Sequence, residues 1–513
     1  VRLLQEKDAS GRSFVVEVNG RKMFAKGADW IPSDSFIPRT PLATYNRLLR
    51  MAKDAHMNMI RVWGGGFYEN DTFYDLCDRF GLMVWQDFMF ACGEYPETRS
   101  FLKDVEGEAV KAVRRLRNHP SIVVWCGNNE CEWLYCTENP GKTPEDMSGA
   151  RIFRDLLKDV VRREDGTRPY WRSSPFGQGP PNSESNGNHH QWGVWSFWKD
   201  YPEYEKDNAR FVTEFGFQGP ASLKTIREVT VESDRRVQSA VLEHHNKQVE
   251  GPERLLRFLV AHYRLPATLE DFVYTGQLLQ GEALKCAVEH WRRRKYKTAG
   301  ALFWQLNDCW PVISWSVIDS KLRPKAAYYY SRRFYAPLLV SFRKSESGLE
   351  LWLTSDLTSA LHGTMEVSAL SFSGRRLWRR KKAVVHPADG SACVLMLPAD
   401  PALDPARSYL FARFTSREGP AAKNRFYFSE PKHLALPDPS LSWSVAHSPA
   451  HGIRVTVRAR RLARCVWLDV EGGDAFFDDN AFDLDPGTEK TVLCLTDLPP
   501  HLLKRNLRVR SLR

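Results

Sequence analysis

The sequence predicts a (β/α)8 barrel followed by two β-sandwiches. From Arg21 to about Tyr335, short apolar runs alternate with amphipathic helical patterns, as parallel strands and their crossover helices do. Eight strand-like runs fall in this range, so a closed barrel is the simplest arrangement. Beyond Tyr335 the helical patterns stop, and alternating strands with turn residues between them continue to the end, which is typical of sandwiches.

Each predicted barrel strand is a short apolar segment, and most are followed by a helical pattern. In chain order the segments are KMFAKGADWIP with a helix from about Pro41 to His56, NMIRVWGGG with a helix from about Asn70 to Phe80, LMVWQDF with a helix from Val105 to Arg117, IVVWCGNNE with the helix RIFRDLLKDVVRR, RPYWRSS, HHQWGVW, ARFVTEF with a long helical insertion from about Ala221 to Arg294, and AGALFWQLND.

We expect four parts in the chain. Residues 1–20 contain FVVEVNG, an alternating strand that ends in an Asn-Gly turn, and are interpreted as the remnant of a preceding β domain and its linker. The barrel then occupies residues 21–335. A first Ig-like sandwich follows over 336–433 and a second over 434–513, with the proline-rich stretch PKHLALPDPSLS between them.

Two glutamates end apolar strand patterns and are the candidate catalytic residues. Glu130 closes IVVWCGNNE at the end of the fourth strand, and Glu214 closes ARFVTEF at the end of the seventh. The carboxyl ends of barrel strands converge on one mouth, so these two side chains are expected to face each other. Paired carboxyls hydrolyse glycosidic bonds, one protonating the leaving oxygen while the other attacks or activates water. The ordinary alternative for either residue is a solvated loop carboxylate.

Neighbouring residues suit a sugar site. The amide of Asn129 supplies donors and acceptors for hydroxyl groups, and Trp125, Trp133 and Phe215 supply apolar walls. We expect Trp125 and Trp133 to favour the protonated form of Glu130.

Composition excludes several other functions. The net charge of +11 is spread over short basic clusters, Arg292 to Lys295 and Arg379 to Lys382, so we expect no nucleic-acid partner. No run approaches the ~18 apolar residues of a membrane span, so we expect no membrane partner either. The ten cysteines lack metal-site spacing and are interpreted as buried thiols, which favours a cytoplasmic over a periplasmic or secreted location.

Six segments in order resemble one known family. FAKGADWIP, RVWGGGFYE, WQDFMFAC, NHPSIVVWCGNNE, RFVTEFGFQ and GALFWQLNDCWPVISWSVID look like the barrel of a β-mannosidase of glycoside hydrolase family 2, and WLDVEG with DDNAFDLDPG resembles its last domain.

The resemblance implies a retaining exo-β-mannosidase that acts on β-mannosides or manno-oligosaccharides and needs no cofactor and no metal. It assigns Glu130 as the acid/base and Glu214 as the nucleophile. It also implies binding roles for five further residues: Asn129 holds the sugar 2-hydroxyl, Arg61 supports the nucleophile, and the first subsite is lined by Trp63, Asp87 and Trp304. Arg61 is then expected to keep Glu214 charged.

Two departures from the family are visible. The strand-six segment reads His190, Gln191, Trp192 where the family often resembles His-Tyr-Trp, so either His190 or Trp192 is expected to contact the nucleophile or the sugar. Family members also carry a jelly roll, which contributes a pocket carboxylate, and an Ig-like domain before the barrel. Neither is in this sequence, so we expect a chain extended at its amino terminus to be more active.

Two alternatives are left open by the sequence. One is another family 2 exo-β-glycosidase, acting on a galactoside, a glucuronide or a glucosaminide. The other is a non-catalytic carbohydrate-binding derivative of such an enzyme. Association into a homodimer is also left open.

Overall fold

The computed structural model describes residues 1–177, 179–448 and 452–513, without the side chain of Ser448. The chain forms two compact units. The first contains Val1–Val249 and Ala283–Leu322, and the second contains Glu250–Glu282 and Arg323–Arg513. The predicted domain limits of 1–20, 21–335, 336–433 and 434–513 stay a proposal. In the described part of the chain, no helix has the length and apolar character needed to cross a bilayer.

The first unit contains eight parallel strands in one sheet. They are β6 (Ala25–Trp30), β7 (Met59–Val62), β8 (Met83–Asp87), β9 (Ile122–Cys126), β10 (Tyr170–Trp171), β11 (His189–Gln191), β12 (Val212–Phe215) and β13 (Gly300–Phe303), preceded by the short strands β1 (Arg2–Leu4), β2 (Lys7–Asp8), β3 (Gly11–Arg12), β4 (Val15–Val18) and β5 (Arg21–Met23). The strand order β10-β9-β8-β7-β6-β13-β12-β11 is the cyclic order of a (β/α)8 barrel. The predicted barrel is therefore confirmed.

The strands β7, β8 and β9 are buried along their whole length, which is why their sequences are largely apolar. Close packing between the first two strands requires Gly27, because a Cβ there would lie 1.7 Å from the carbonyl oxygen of Met59. β10 and β11 lie at the two ends of the sheet order. Side-chain hydrogen bonds cross this seam, the shortest from Asn188 Nδ2 to Ser174 Oγ at 2.7 Å.

Helices follow most barrel strands. The first two lie close to the predicted limits, the third begins at Arg99 instead of Val105, and the predicted insertion of 221–294 is divided into four helices. The α-helices are α1 (Leu42–Asp54), α2 (Asp71–Phe80), α3 (Arg99–Leu116), α4 (Cys131–Glu138), α5 (Leu157–Glu164), α6 (Leu223–Glu228), α7 (Ala240–His244), α8 (Gly251–His262), α9 (Leu269–Arg293), α10 (Ala326–Phe334) and α11 (Pro500–Asn506). Side-chain caps set two of the starts: Asn70 accepts a hydrogen bond from the amide of Phe73, and Thr98 accepts one from that of Phe101. The RIFRDLL segment begins as a π-helical turn, Ile152–Leu156, before α5.

The second unit contains two β-sandwiches. Their strands are β14 (Leu338–Ser345), β15 (Gly348–Ser355), β16 (Leu361–Ser371), β17 (Arg376–His386), β18 (Ser391–Leu397), β19 (Ser408–Ser416), β20 (Ala421–Tyr427), β21 (Ser442–Ser448), β22 (Gly452–Arg458), β23 (Ala463–Val470), β24 (Ala475–Phe477), β25 (Phe482–Leu484), β26 (Glu489–Thr496) and β27 (Leu507–Leu512). The first sandwich packs β14-β15-β18 against β17-β16-β19-β20, and the second packs β21-β22-β26-β24 against β25-β23-β27. The two predicted sandwiches are confirmed.

The amino-terminal segment packs into the barrel. Phe14, Val15 and Val16 are buried among apolar residues at the amino ends of the barrel strands, including Ala25 and Met59. The ring of Phe14 has its centroid 4.8 Å from that of Trp171 and 5.4 Å from that of Phe211. These side chains therefore close the end of the barrel opposite the carboxyl ends of its strands.

Replacing Phe14 by Ala removes this plug and leaves a cavity, so we expect a loss of about 3 to 5 kcal/mol in stability. Thermal unfolding of the purified protein measures the loss as a lower midpoint. Phe36 is 66% exposed, so Phe36→Ala is the matched control and is expected to change stability by about 0.5 kcal/mol or less. Equal midpoints for the two variants would contradict a role of Phe14 in the barrel core.

Candidate active site

A fully buried arginine lies at the centre of the barrel mouth. Arg61 is on β7, and its guanidinium donates to carboxyl groups and an amide from four other strands or their ends. The shortest hydrogen bonds are Nη1 to Glu214 Oε1 at 2.8 Å, Nη2 to Asp87 Oδ2 at 2.8 Å and Nη2 to Asn129 Oδ1 at 2.6 Å. Five donors in a fixed planar fork allow one side chain to hold several strand ends at once.

The charges around Arg61 are unequal. Although burial disfavours the charge of Arg61, the carboxylates of Asp87, Asp29 and Glu214 raise its pKa well above the ordinary value, so it stays protonated. Asp29 lies 3.5 Å from Nη1. Burial raises the pKa of Asp29 well above its ordinary value despite the opposing charge of Arg61.

Glu214 is held by two donors. Arg61 contacts its Oε1, and Trp192 Nε1 donates to its Oε2 at 3.1 Å. Burial raises the pKa of Glu214, while Arg61 and Trp192 oppose that rise because they stabilise the carboxylate. The donors fix the orientation of the carboxylate from both oxygens.

Glu130 is held differently, without an arginine contact. It follows β9 with a positive φ of 61°, a left-handed backbone conformation that is uncommon for a residue with a Cβ and is frequent at functional sites. His190 Nδ1 lies 2.7 Å from its Oε1, and Cys92 Sγ lies 3.7 Å from its Oε2. Burial, and then the negative charge of Glu214, raise the pKa of Glu130 well above its ordinary value. Glu130 is therefore the carboxyl that keeps its proton.

The two glutamates and His190 form one cluster. One oxygen of each carboxyl and one imidazole nitrogen all lie within 4.8 Å of one another. This close approach of two oxygens is compatible with the separation of about 5 to 5.5 Å between the carboxyl groups of retaining glycosidases. Burial lowers the pKa of His190 well below its ordinary value, so the imidazole is neutral.

Tryptophan rings line the mouth beside this cluster. Trp63 and Trp304 are partly exposed and meet edge to face with their centroids 4.9 Å apart. Trp133 is also partly exposed and has its ring 6.1 Å from that of His190. Flat apolar faces next to a carboxyl pair suit the apolar face of a sugar ring.

Two of the residues expected to bind substrate, Asp87 and Asn129, are hydrogen-bonded to other groups of the protein. Asp87 is fully buried and accepts hydrogen bonds from Trp85 Nε1 at 2.9 Å, from Arg61 and from the amide of Gly64 at 3.0 Å. Asn129 is 2% exposed and its Oδ1 is occupied by Arg61. Both side chains fix Arg61 in this structure.

The prediction that Trp125, Trp133 and Phe215 form apolar walls beside Glu130 and Glu214 is wrong for two of these residues. The indole of Trp125 stacks on Phe88 with centroids 5.8 Å apart and donates to Asp165. Phe215 packs on Trp291 and Tyr204. Side chains of a strand alternate between its two faces, so these rings lie in the layer between strands and helices instead of at the mouth. Only Trp133 of the three is next to the site.

Several residues near the carboxyls were not identified from the sequence. They are Asp29 at the end of β6, Cys92 beyond β8, Ser174 beyond β10, Asn188 before β11 and Thr213 on β12. Asp29 lies at the end of a strand pattern, as Glu130 and Glu214 do, and could have been found by that signal. The bonds between them join segments distant in the chain, which sequence spacing does not reveal.

Comparisons with known proteins agree with this geometry. The Mannosidase Ig/CBM-like domain matches residues 347–433, and the Ig-fold domain of mannosidases matches 436–513. Beta-mannosidase B of Aspergillus terreus is 34% identical over 97% of this chain, and that of Aspergillus niger is 34% identical over 96%. The chain spans 63% and 62% of these two relatives' lengths.

Two solved structures are similar to this chain. A β-D-mannosidase from Dictyoglomus thermophilum has a TM-score of 0.93 and 38% identity, with 99% of this chain and 63% of that chain covered. An exo-chitosanase from Amycolatopsis orientalis shares the fold, with a TM-score of 0.77, 17% identity and coverage of 99% and 65%.

Fold and site together define a class of protein with a (β/α)8 barrel, two opposed glutamates at its mouth and two Ig-like sandwiches. Within this class, the chain is a homologue of the β-mannosidases of glycoside hydrolase family 2.

Removing the indole donor to Glu214 is expected to change the pH dependence of catalysis. Trp192→Phe raises the pKa of Glu214 further, because the carboxylate loses a hydrogen bond, and Glu214 must be ionised to react. The acidic limb of kcat/KM for an aryl β-glycoside should move to higher pH by about one unit.

The matched control is Trp125→Phe, which removes an indole donor to Asp165 at 2.8 Å, in the layer between strands and helices. Its acidic limb should stay at the wild-type pH. Identical pH profiles for the two variants would show that Trp192 does not affect the pKa of Glu214.

Proposed function

We propose that the protein is a retaining exo-β-mannosidase that hydrolyses terminal non-reducing β-D-mannose residues. The observation that carries the proposal is the pair of Glu130 and Glu214, whose nearest cluster atoms lie within 4.8 Å across the mouth. Mannose as the substrate is supported by the relatives at 34% and 38% identity, each named as a β-mannosidase.

The first step forms a covalent intermediate. Glu214 Oε attacks the anomeric carbon, the bond from that carbon to the glycosidic oxygen breaks, and the proton of Glu130 goes to the departing oxygen. Arg61 and Trp192 hold Glu214 as an oriented carboxylate, and burial with the nearby charge of Glu214 keeps the proton on Glu130. Two residues of one type thereby take opposite roles.

The second step releases the sugar. Once Glu214 is esterified its negative charge is gone, so the repulsion that favoured protonated Glu130 disappears. Glu130, now a carboxylate, takes a proton from water as the water oxygen attacks the anomeric carbon. The bond to Glu214 breaks, and its carboxylate returns to Arg61 and Trp192.

The remaining roles follow from the contacts. Trp63 and Trp304 offer the sugar a partly exposed aromatic surface. Asp87 and Asn129 both accept hydrogen bonds from Arg61. Asn129 Nδ2 lies 3.5 Å from Cys92 Sγ. If Asn129 binds the sugar 2-hydroxyl, its Nδ2 gives up the contact with Cys92 and donates to the hydroxyl instead.

A panel of nitrophenyl β-glycosides tests the substrate. We expect the mannoside to be hydrolysed with the highest kcat/KM among the mannoside, galactoside, glucuronide and glucosaminide. The anomer first released from the mannoside, followed by NMR, should be β because two inversions retain the configuration. Preference for another sugar would replace mannose in the proposal, and absence of all turnover would favour a carbohydrate-binding protein.

Variants of the two glutamates are expected to differ in kind. Glu214→Ala should abolish turnover of every substrate, because no covalent intermediate forms. Glu130→Ala should retain the first step for aryl mannosides with good leaving groups, and added azide should give a β-mannosyl azide.

Glu132→Gln provides the control for these variants. Glu132 is buried two residues beyond Glu130, its pKa is raised to about 7 by burial, and it pairs with Arg172. We expect this variant to keep the wild-type dependence on the leaving group and to form no azide product. Equal losses in Glu130→Ala and Glu214→Ala, without azide product, would overturn the assigned roles.

A further inference from the structure

A buried polar cluster lies at the barrel seam, directly behind the imidazole that contacts both glutamates. Its members are Ser174, Asn188, Thr213 and His190, none more than 1% exposed. Ser174 Oγ lies 2.9 Å from His190 Nε2 and 2.9 Å from Thr213 Oγ1. The cluster therefore contacts Nε2 of the His190 ring, whereas Glu130 contacts Nδ1 of the same ring.

The orientation of the Asn188 amide is fixed by its neighbours. Its Oδ1 accepts hydrogen bonds from Trp171 Nε1 at 2.9 Å and from the amide of Phe176 at 2.8 Å. Its Nδ2 consequently points the other way and donates to Ser174 Oγ at 2.7 Å and Thr213 Oγ1 at 2.9 Å. Both hydrogens of the amide are used.

The hydroxyl protons can then be followed. Hydroxyl protons are placed by their acceptors: with Thr213 donating to the carbonyl oxygen of His189 at 3.5 Å, the one proton of Ser174 goes to Thr213 Oγ1 at 2.9 Å. Ser174 has no second proton to give to His190. The contact of 2.9 Å between them is therefore made by an Nε2–H of His190 that donates to Ser174 Oγ.

The tautomer determines what faces Glu130. A neutral imidazole carries one proton, so a protonated Nε2 leaves a lone pair on Nδ1. Nδ1 lies 2.7 Å from Glu130 Oε1, and the proton between these two atoms must belong to Glu130. Two other neighbours bear on the charge of the ring: Glu214 Oε2 lies 3.3 Å from Nδ1, whereas Arg61, with His189, disfavours a charged imidazole. Glu214 already receives protons from Arg61 and Trp192.

We propose that Ser174, Asn188 and Thr213 are positioning residues that hold His190 as the Nε2–H tautomer and thereby keep the catalytic proton on Glu130. The catalytic effect of this tautomer rests on the proposed function, whereas the tautomer itself does not depend on it. When the proton leaves for the glycosidic oxygen, the carboxylate of Glu130 faces a lone pair of Nδ1. That repulsion favours recovery of a proton from water in the second step.

The opposite tautomer has the opposite effect. An Nδ1–H would donate to Glu130 and Glu214 together, and a hydrogen bond to a carboxylate favours its charged form. Glu130 would then lose its proton at lower pH. The seam cluster selects between the two tautomers.

Ser174→Ala tests the proposal because it removes the acceptor of Nε2–H and leaves the ring free to adopt Nδ1–H. The basic limb of kcat/KM should move to lower pH by about one unit. A mannoside with a poor leaving group should lose about tenfold or more in kcat, since protonation of the leaving oxygen contributes ~10² to 10⁴ in rate. A dinitrophenyl mannoside, which needs little protonation, should lose far less.

Ser173→Ala is the matched control. Ser173 is equally buried, precedes Ser174 in the chain, and loses a hydrogen bond of 2.8 Å to Asn128 Oδ1 that does not involve His190. Its pH profile and its dependence on the leaving group should match the wild type. A wild-type profile for Ser174→Ala would overturn the proposal.

A second measurement does not depend on catalytic activity. With 15N-labelled histidine, NMR of the wild-type protein reports which ring nitrogen of His190 carries the proton, and a His190→Gln variant assigns the signals among the 14 histidines. We expect a protonated Nε2 and a bare Nδ1. A protonated Nδ1 would overturn the proposal. A protein inactive on every glycoside with the expected tautomer would contradict only the proposed function.

Discussion

The arrangement of the barrel mouth depends on the buried guanidinium of Arg61. From one strand it contacts Asp87 on the next strand, Asn129 beyond β9 and Glu214 on β12, so it fixes the relative positions of the strand ends that carry the candidate chemistry. Burying this charge is favourable only with its partners in place, and loss of one partner of a buried ion pair typically costs about 3 to 5 kcal/mol. Stability and site geometry therefore depend on the same side chain.

Arg61 also separates the two glutamates. Glu214 and Glu130 share residue type and lie at neighbouring positions in space, yet only Glu214 contacts the guanidinium. Glu130 is paired with a neutral imidazole and lies beside the negative charge of Glu214, so burial and repulsion both act against its ionised form. One cation placed on one side of the pair gives two identical groups different preferences for the charged form.

The barrel seam shows a second way of using buried polar groups. Between β10 and β11, where side chains of Ser174 and Asn188 cross the opening, each hydrogen of the Asn188 amide and each acceptor has a partner. A fully satisfied network in a low-dielectric interior is rigid, because any displaced member leaves a costly unpaired group. Rigidity here extends to the ring of His190 and so to Glu130.

Much of this protein follows from the sequence alone. Apolar runs buried on both faces specify parallel strands, alternating runs specify the sandwiches, and Glu130 and Glu214 are recognisable because each directly ends a strand pattern. Local chemistry also sets helix starts such as Asn70. In each case the signal lies within a few residues, where periodicity and capping act.

Only the tertiary structure decided which faces and partners these residues have. Trp125 and Phe215 lie close in the chain to the catalytic candidates, but their side chains are on the opposite side of their strands. Asp87 accepts hydrogen bonds from Arg61 and from the amide of Gly64. The proton on Glu130 depends on Ser174, Asn188 and Thr213, up to 83 positions away in the chain. Hydrogen bonds and charges act through distances in space, and closure of the barrel sets those distances.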